Sequence, residues 1–128
     1  MEFPSDRKYT KDHEWIKIDG NNATIGITEF AQSELGELVF VDLPAAGKEV
    51  EQGGTLCVVE STKAASDVYS PVAGKVIEAN SKLSNEPALI NSDPYGQGWI
   101  AKLTGLKSIE DGTLMDAAGY AKFLGSKA

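Results

Sequence analysis

Val58-Val59-Glu60-Ser61-Thr62-Lys63-Ala64-Ala65-Ser66-Asp67-Val68-Tyr69-Ser70-Pro71 sets two β-prone arms on either side of a polar centre. The pattern predicts a hairpin with Lys63 at or beside its tip. A tip is the most exposed place on a small β domain, so a modifying enzyme could reach the amine without unfolding anything and an attached group could swing freely. Thr62-Lys63 is not the Asn-Gly pair that a tight turn prefers, so turn chemistry alone does not locate the tip. For most lysines of the chain, such as Lys48, Lys75 or Lys127, a solvated surface charge is the better reading.

Strand character continues outward from this segment. Upstream, Thr55-Leu56-Cys57 extends the first arm and Leu38-Val39-Phe40-Val41-Asp42-Leu43 supplies another strand. Trp15 to Ile18, Asp19-Gly20-Asn21-Asn22 and Ala23 to Ile27 read as strand, turn, strand. Thr28 can cap a short helix through Glu29, Phe30, Ala31 and Leu35, which Gly36 stops by taking positive φ. From Pro44 to Leu103 turn signals recur every several residues, at Pro44/Gly47, Gly53/Gly54, Pro71/Gly74, Asn80/Ser81, Pro87 and Asp93-Pro94-Tyr95-Gly96, the spacing of a sandwich or a barrel. Pro44-Ala45-Ala46-Gly47-Lys48 is echoed by Pro71-Val72-Ala73-Gly74-Lys75, displaced by 27 residues and with Leu56 and Leu83 in step, which hints at quasi-symmetric halves. Ser108-Ile109-Glu110-Asp111 and Thr113-Leu114-Met115-Asp116 both fit capping boxes, and Tyr120, Phe123 and Leu124 give an apolar helical face, so a C-terminal helix is expected over about 113–125. The expectation is one mostly β domain over 1–128, with one short helix inside and one at the end.

With 128 residues and 41% apolar content the chain can bury one core without disulfide or metal. A net charge of −7, with Arg7 the single arginine, disfavours nucleic acid and anionic lipid. No apolar run approaches membrane-spanning length, and the start Met1-Glu2-Phe3-Pro4-Ser5-Asp6-Arg7 lacks a signal or transit pattern. A cytoplasmic protein that acts as a monomer is the expectation, and the lone Cys57 suits a reducing compartment.

Catalytic chemistry finds little support. His13 is the single histidine, which rules out a multi-histidine metal site and leaves His13 and Cys57 as the only thiol–imidazole pair. In its apolar run Cys57 would be buried and inert. Gly96-Gln97-Gly98 matches a degenerate dinucleotide fingerprint but precedes a strand-like run, so it reads as a loop. Asn22-Ala23-Thr24 fits a glycosylation acceptor but reads as a turn. Nineteen acidic residues offer many carboxylate pairs, and spacing alone does not say which converge.

Glu60-Ser61-Thr62-Lys63-Ala64-Ala65-Ser66-Asp67 resembles the lipoyl-attachment sequence of glycine cleavage H proteins, in which this lysine carries lipoate through an amide; Thr62 stands where the family commonly has Val. The resemblance also runs through Tyr9-Thr10, His13-Glu14-Trp15, Gly26-Ile27-Thr28, Ala31-Gln32, Leu35-Gly36 and Val39 to Pro44. It continues through Gly74 to Asn80, Leu89-Ile90-Asn91, Pro94-Tyr95, Gly98-Trp99, Leu114 to Ala117 and Tyr120. It implies a lipoyl-type β-sandwich, a barrel-sandwich hybrid with flanking helices.

The function so implied is that of a non-catalytic carrier with a swinging lipoyl arm on Lys63, serving glycine catabolism and one-carbon metabolism. A pyridoxal-phosphate glycine decarboxylase loads the aminomethyl group of glycine, a tetrahydrofolate-dependent aminomethyltransferase removes it, and dihydrolipoyl dehydrogenase reoxidises the arm. A lipoate ligase or octanoyl transferase would read the attachment motif at Glu60, Ser61, Ala64 and Asp67. Glu14 and Asp67 are implied as acidic residues of a cleft that receives the amine of the loaded arm, since an ammonium leaving water needs a compensating charge. A related carrier that donates lipoate to other lipoyl domains is the nearest rival. A biotin carrier would place Met on both sides of its lysine, where Thr62 and Ala64 stand. A lipoyl domain of a 2-oxoacid dehydrogenase would leave His13-Glu14-Trp15 and the C-terminal helix unexplained. A hydrolase would need a nucleophile and base, and a structural interaction module would leave Lys63 unmodified.

Overall fold

The computed structural model describes residues 3–107 and 114–127. In chain order its elements are β1 Lys8–Tyr9, β2 Glu14–Asp19, β3 Asn22–Ile27, α1 Glu29–Leu35, β4 Leu38–Asp42, β5 Glu49–Val50, β6 Thr55–Ser61, β7 Ala65–Tyr69, β8 Gly74–Ala79, a 3-10 turn Ser81–Ser84, α2 Leu89–Ser92, β9 Ala101–Thr104 and α3 Ala117–Lys127. The strands pair antiparallel in two open sheets, one of six strands in the order β1-β2-β3-β9-β8-β5 and one of three in the order β4-β6-β7. One apolar core joins them: Ile16, Ile25, Val76 and Leu103 from the larger sheet cluster with Leu38, Val41, Leu56, Val59 and Val68 from the smaller. Two sheets closing on one shared core make a sandwich, as the even spacing of turns and the family resemblance implied.

Strand β2 departs from simple alternation, because Glu14, Trp15 and Ile16 are all buried. Ile16 faces the shared core. Trp15 faces the other way, into a second cluster with Tyr9 and Tyr120, against which Phe3, Tyr95, Met115, Phe123 and Leu124 pack. The C-terminal helix is what covers this outer face, so a strand that would otherwise be half-solvated is buried on both sides. Trp15 donates its ring N–H to Pro94 O at 3.0 Å, and the Arg7 guanidinium lies 4.6 Å from its ring centre. The facing strand makes room with Gly26, where a Cβ would fall 2.7 Å from the indole.

Helix α1 follows the sequence reading: Thr28 Oγ1 accepts from Ala31 N at 3.2 Å, and Gly36 ends the helix at φ +83°. The C-terminal helix does not. It runs over Ala117–Lys127 rather than 113–125, with Asp116 as its cap, accepting from Gly119 N at 2.7 Å. Met115 is extended and pairs with Tyr9, exchanging two backbone hydrogen bonds of 2.8 and 2.7 Å, because that bridge zips the entry of the helix onto β1. The capping box at Ser108 to Asp111 and the cap at Thr113 lie outside the described residues. The segment after Asn80 also carries more helix than the single internal one expected, namely the 3-10 turn and α2. The glycosylation-like Asn22-Ala23-Thr24 begins a strand rather than a turn.

The echoed segments meet in space. Glu49 pairs with Lys75, Gly47 N donates to Val76 O at 2.7 Å, and Val76 N donates to Lys48 O at 2.8 Å. Leu56 and Leu83 are both buried in the core. An antiparallel meeting of equivalent segments is what a local two-fold relation between the halves produces.

Two glycine substitutions separate close approach from simple flexibility. Gly26→Ala should lower stability by about 1–3 kcal/mol through overpacking against Trp15. Gly125→Ala, in α3 with open space around it, should raise stability by about 0.5 kcal/mol. Urea midpoints measured side by side give both signs, and a neutral Gly26→Ala would refute the packing account.

Candidate functional site

The hairpin expected around Lys63 is formed by β6 and β7, with Glu60 opposite Ala65 as the last strand pair. Ser61 N donates to Ala64 O at 2.8 Å, closing the turn on Thr62-Lys63. Among the described residues His13 alone takes positive φ without being glycine, so Thr62 and Lys63 do not adopt the mirror-image turn that Asn-Gly favours. The Ser61 hydroxyl stabilises the alternative, accepting from Lys63 N at 3.2 Å and Ala64 N at 3.1 Å and donating to Ala64 O at 3.2 Å.

The tip is supported from outside as well. β6 is the middle strand of its sheet, and Thr62 N donates to Glu37 O at 3.2 Å, one residue before β4 begins. The Lys63 stem lies over Gly36, its Cε 3.6 Å from where a Cβ would stand. Lys63 is exposed, and among the described residues its Nζ takes part in no salt bridge or hydrogen bond. Glu60, Ala64 and Asp67 are exposed beside it, and Ser61 is half-buried.

The two carboxylates expected to share a cleft have unlike surroundings. Glu14 is 2% exposed, with Oε1 accepting from Thr10 Oγ1 at 2.7 Å and Oε2 from Tyr69 N at 3.3 Å. Burial pushes its pKa up to about 7, against the opposing pull of those two hydrogen bonds. Asp67 is exposed on β7, two residues before the Tyr69 amide that Glu14 holds. Both therefore address one strand, Glu14 from within and Asp67 from solvent. The surface cavity next to the tip, about 520 Å³ and lined by Glu37, Leu38, Val39, Pro87 and Leu89 among others, contains neither.

Other candidates are occupied by structural work. Cys57 is buried in the core, which pushes its thiol up to about 12. His13 Nδ1 lies 2.8 Å from the Tyr120 hydroxyl. The Gly96-Gln97-Gly98 loop spends its amides on Asp93, Gln97 N donating to Oδ2 at 2.9 Å and Gly98 N to the backbone O at 2.8 Å, so it offers no phosphate cradle. Among the described residues no cluster of three or more His, Cys, Asp or Glu could hold a metal ion, and no helix is long and apolar enough to cross a membrane.

Asn91 is the residue that reasoning from sequence missed. Its Oδ1 accepts from Leu38 N at 2.9 Å, and its Nδ2 donates to Gln32 Oε1 at 2.8 Å and Gly36 O at 2.9 Å, bracketing the segment under the tip. Nothing in its local sequence marks it, since Leu89-Ile90-Asn91 reads only as a short polar-ended run; its place in the block of family resemblance was the one available signal.

Comparison with known proteins gives relatives over nearly the whole chain. The family model described as "Glycine cleavage H-protein" matches residues 7–127. A glycine cleavage system H protein of Coprothermobacter proteolyticus is 54% identical over 121 residues, covering 92% of this chain and 94% of the relative. One from Thermus thermophilus is 48% identical over 128 residues and the full length of both. The crystal structure of a glycine cleavage system H protein from Mycobacterium marinum superposes with a TM-score of 0.88 at 40% identity, covering 96% of this chain and 99% of that one.

The raised Glu14 carboxyl makes stability depend on pH in a definite direction. Its ordinary value is 4.5 and its folded value about 7, so in between the folded protein holds the extra proton. The stabilising contribution is fully present below the lower value and is lost as pH rises through the upper one. Urea midpoints of wild type should therefore fall more between pH about 5 and about 7 than those of Glu14→Gln, a difference worth on the order of a few kcal/mol. Parallel profiles for the two proteins would remove Glu14 as the cause.

Proposed function

Because the chain belongs to the glycine cleavage H-protein family, the lipoyl carriers of the glycine cleavage system, we propose that Lys63 is the residue that bears its lipoyl arm. The observation carrying this reading is an exposed amine, engaged in no salt bridge among the described residues, at a tip whose backbone is fixed by Ser61 and Glu37. Forming an amide there removes one positive charge without breaking an ion pair among the described residues. Lys63 is thus an attachment point and not a base. When attached, lipoate supplies a dithiolane that opens to take up the aminomethyl unit left when glycine loses carbon dioxide.

The chain's own residues present and guard that group. Ser61 holds the turn so that the amine projects beyond the sheet, and Glu60, Ala64 and Asp67 form the exposed flank that a lipoate ligase or octanoyl transferase meets. Tethering then delivers the cargo at the effective concentration of a short linker, roughly millimolar, instead of releasing it between enzymes. The partners proposed are glycine decarboxylase, aminomethyltransferase and dihydrolipoyl dehydrogenase, with the chain itself catalysing none of the steps. A reducing compartment such as the cytoplasm suits its free buried thiol.

Glu14 and Asp67 serve the loaded state. An ammonium brought to β7 finds a carboxylate on the solvent side at Asp67, and beneath it a buried carboxyl near its ionisation midpoint at neutral pH. An approaching cation would favour the ionised form of Glu14.

In native material the intact mass and peptide map should show one lipoyl or octanoyl group, on Lys63. Lys63→Arg should fold, stay unmodified and support no glycine cleavage; full activity in that variant would falsify the assignment. Lipoylated Asp67→Ala and Glu14→Ala, loaded from glycine, should release formaldehyde faster than wild type in the absence of aminomethyltransferase. Equal release from all three proteins would mean that the carboxylates do not protect the cargo.

A further inference from the structure

The Lys63 tip rests on a short shelf, Gly36-Glu37-Leu38, and that shelf is held at both ends by one side chain. Asn91 accepts from Leu38 N at 2.9 Å on the far side of Glu37 and donates to Gly36 O at 2.9 Å on the near side. Its second N–H is directed to Gln32 Oε1 at 2.8 Å, on the last turn of α1. Between the two clamped points the Glu37 carbonyl receives the Thr62 amide, Leu38 pairs with Ser61, and Gly36 underlies the lysine stem. Asn91 is itself anchored because its neighbour Ile90 is fully buried in the core. The oxygen and one N–H are engaged on the shelf and the other N–H on α1, a set of bonds that needs a primary amide and that Gln would offer only from a stem one methylene longer.

We propose that Asn91 is a positioning residue for the modification of Lys63: through the shelf it holds the hairpin tip in the single conformation that the acylating enzyme binds. Loosening the shelf would spread the tip over several conformations, and an enzyme that binds one of them would see a KM raised in proportion to the competent fraction lost, with kcat little changed. This rests on Lys63 being the acylated lysine, which peptide mapping of the modified wild-type protein tests separately.

Asn91→Asp keeps the size and the acceptor for Leu38 N but loses both donors. Asn80 supplies the matching control: its amide makes the same kind of clamp, donating to Gln97 O at 2.7 Å and Trp99 O at 2.8 Å and accepting from Lys82 N at 3.3 Å, with none of these bonds on the shelf. Full-length unmodified chains are acylated with lipoate ligase, lipoate and ATP, and KM and kcat for the protein substrate are measured. Asn91→Asp should raise KM about tenfold with kcat within about twofold, and its Thr62 amide should lose protection from hydrogen exchange. Asn80→Asp should lower thermal stability and leave both readouts at wild-type values. A KM for Asn91→Asp equal to that of wild type, or an equal rise in Asn80→Asp, would overturn the proposal. If Asn91→Asp does not fold, native-state exchange of wild type decides: Leu38 and Thr62 amides should be protected together, and an unprotected Thr62 amide beside a protected Leu38 amide would overturn it.

Discussion

The Tyr120 hydroxyl stands between two groups distant in sequence, with Thr28 Oγ1 2.8 Å away and His13 Nδ1 also 2.8 Å away. Thr28 is the cap of α1, so the C-terminal helix is joined through one oxygen to the start of the internal helix. The far end of α1 is Gly36, over which the Lys63 stem lies. His13 pays into the same junction by holding φ at +70°, a left-handed conformation that a non-glycine residue keeps only when its surroundings fix it. The Thr28 amide donates to His13 O at 3.0 Å, and the Tyr120 ring stacks on Tyr9 at 4.9 Å with only 8° between planes. Helix α1 has no fully buried residue of its own, so its placement depends on such terminal contacts more than on burial of a face.

That dependence explains why a second aromatic cluster exists beside the main core. A two-sheet domain of this size has enough apolar surface for one interior, yet Tyr9, Trp15 and Tyr120 are removed from water on the other side of the larger sheet. Their polar atoms are satisfied there: the Trp15 indole by Pro94 O, and the Tyr120 hydroxyl by Thr28 and His13. Burial raises the pKa of the Tyr9 and Tyr120 phenols, so both remain neutral donors at physiological pH. Burial thus acts on both faces of β2: it holds back the ionisation of Glu14 towards β7, and on the Trp15 side it keeps the Tyr120 hydroxyl in its contact with the cap of α1. Lys63 lies at the opposite extreme, an exposed side chain on a tip whose backbone is held.

Much of this was legible in the sequence because it rests on local rules. Alternation and turn residues located β2, β3, β6 and β7, the Thr28 and Gly36 signals bounded α1, and Cys57 was rightly placed in the interior. The start of α3 was misread because Thr113-Leu114-Met115-Asp116 satisfies a capping box, whereas a long-range bridge from Tyr9 keeps Met115 extended and leaves Asp116 to cap. The 3-10 turn and α2 escaped notice because each is a single turn, too short for helical periodicity to register. At the site, the motif around Lys63 was readable by family resemblance and its tip position by pattern. The role of Ser61 in replacing turn glycine was not, since a serine two residues before the lysine fits many local conformations; nor were the burial of Glu14 and the bracket formed by Asn91, which depend on contacts between residues far apart in the chain.

The meeting of Gly47-Lys48 with Lys75-Val76 has a consequence for how such a carrier is used. Continued at the same displacement of 27, Lys63 falls in step with Ile90, which is fully buried in α2. One half of the approximate duplicate thus ends in an exposed lysine at a hairpin tip, while the matching position of the other half lies in the core beside Asn91, which brackets the segment under that tip. The two halves therefore present one exposed pole between them. Any two partners that dock on this one pole would exclude each other, so their rates would be coupled through the carrier they share.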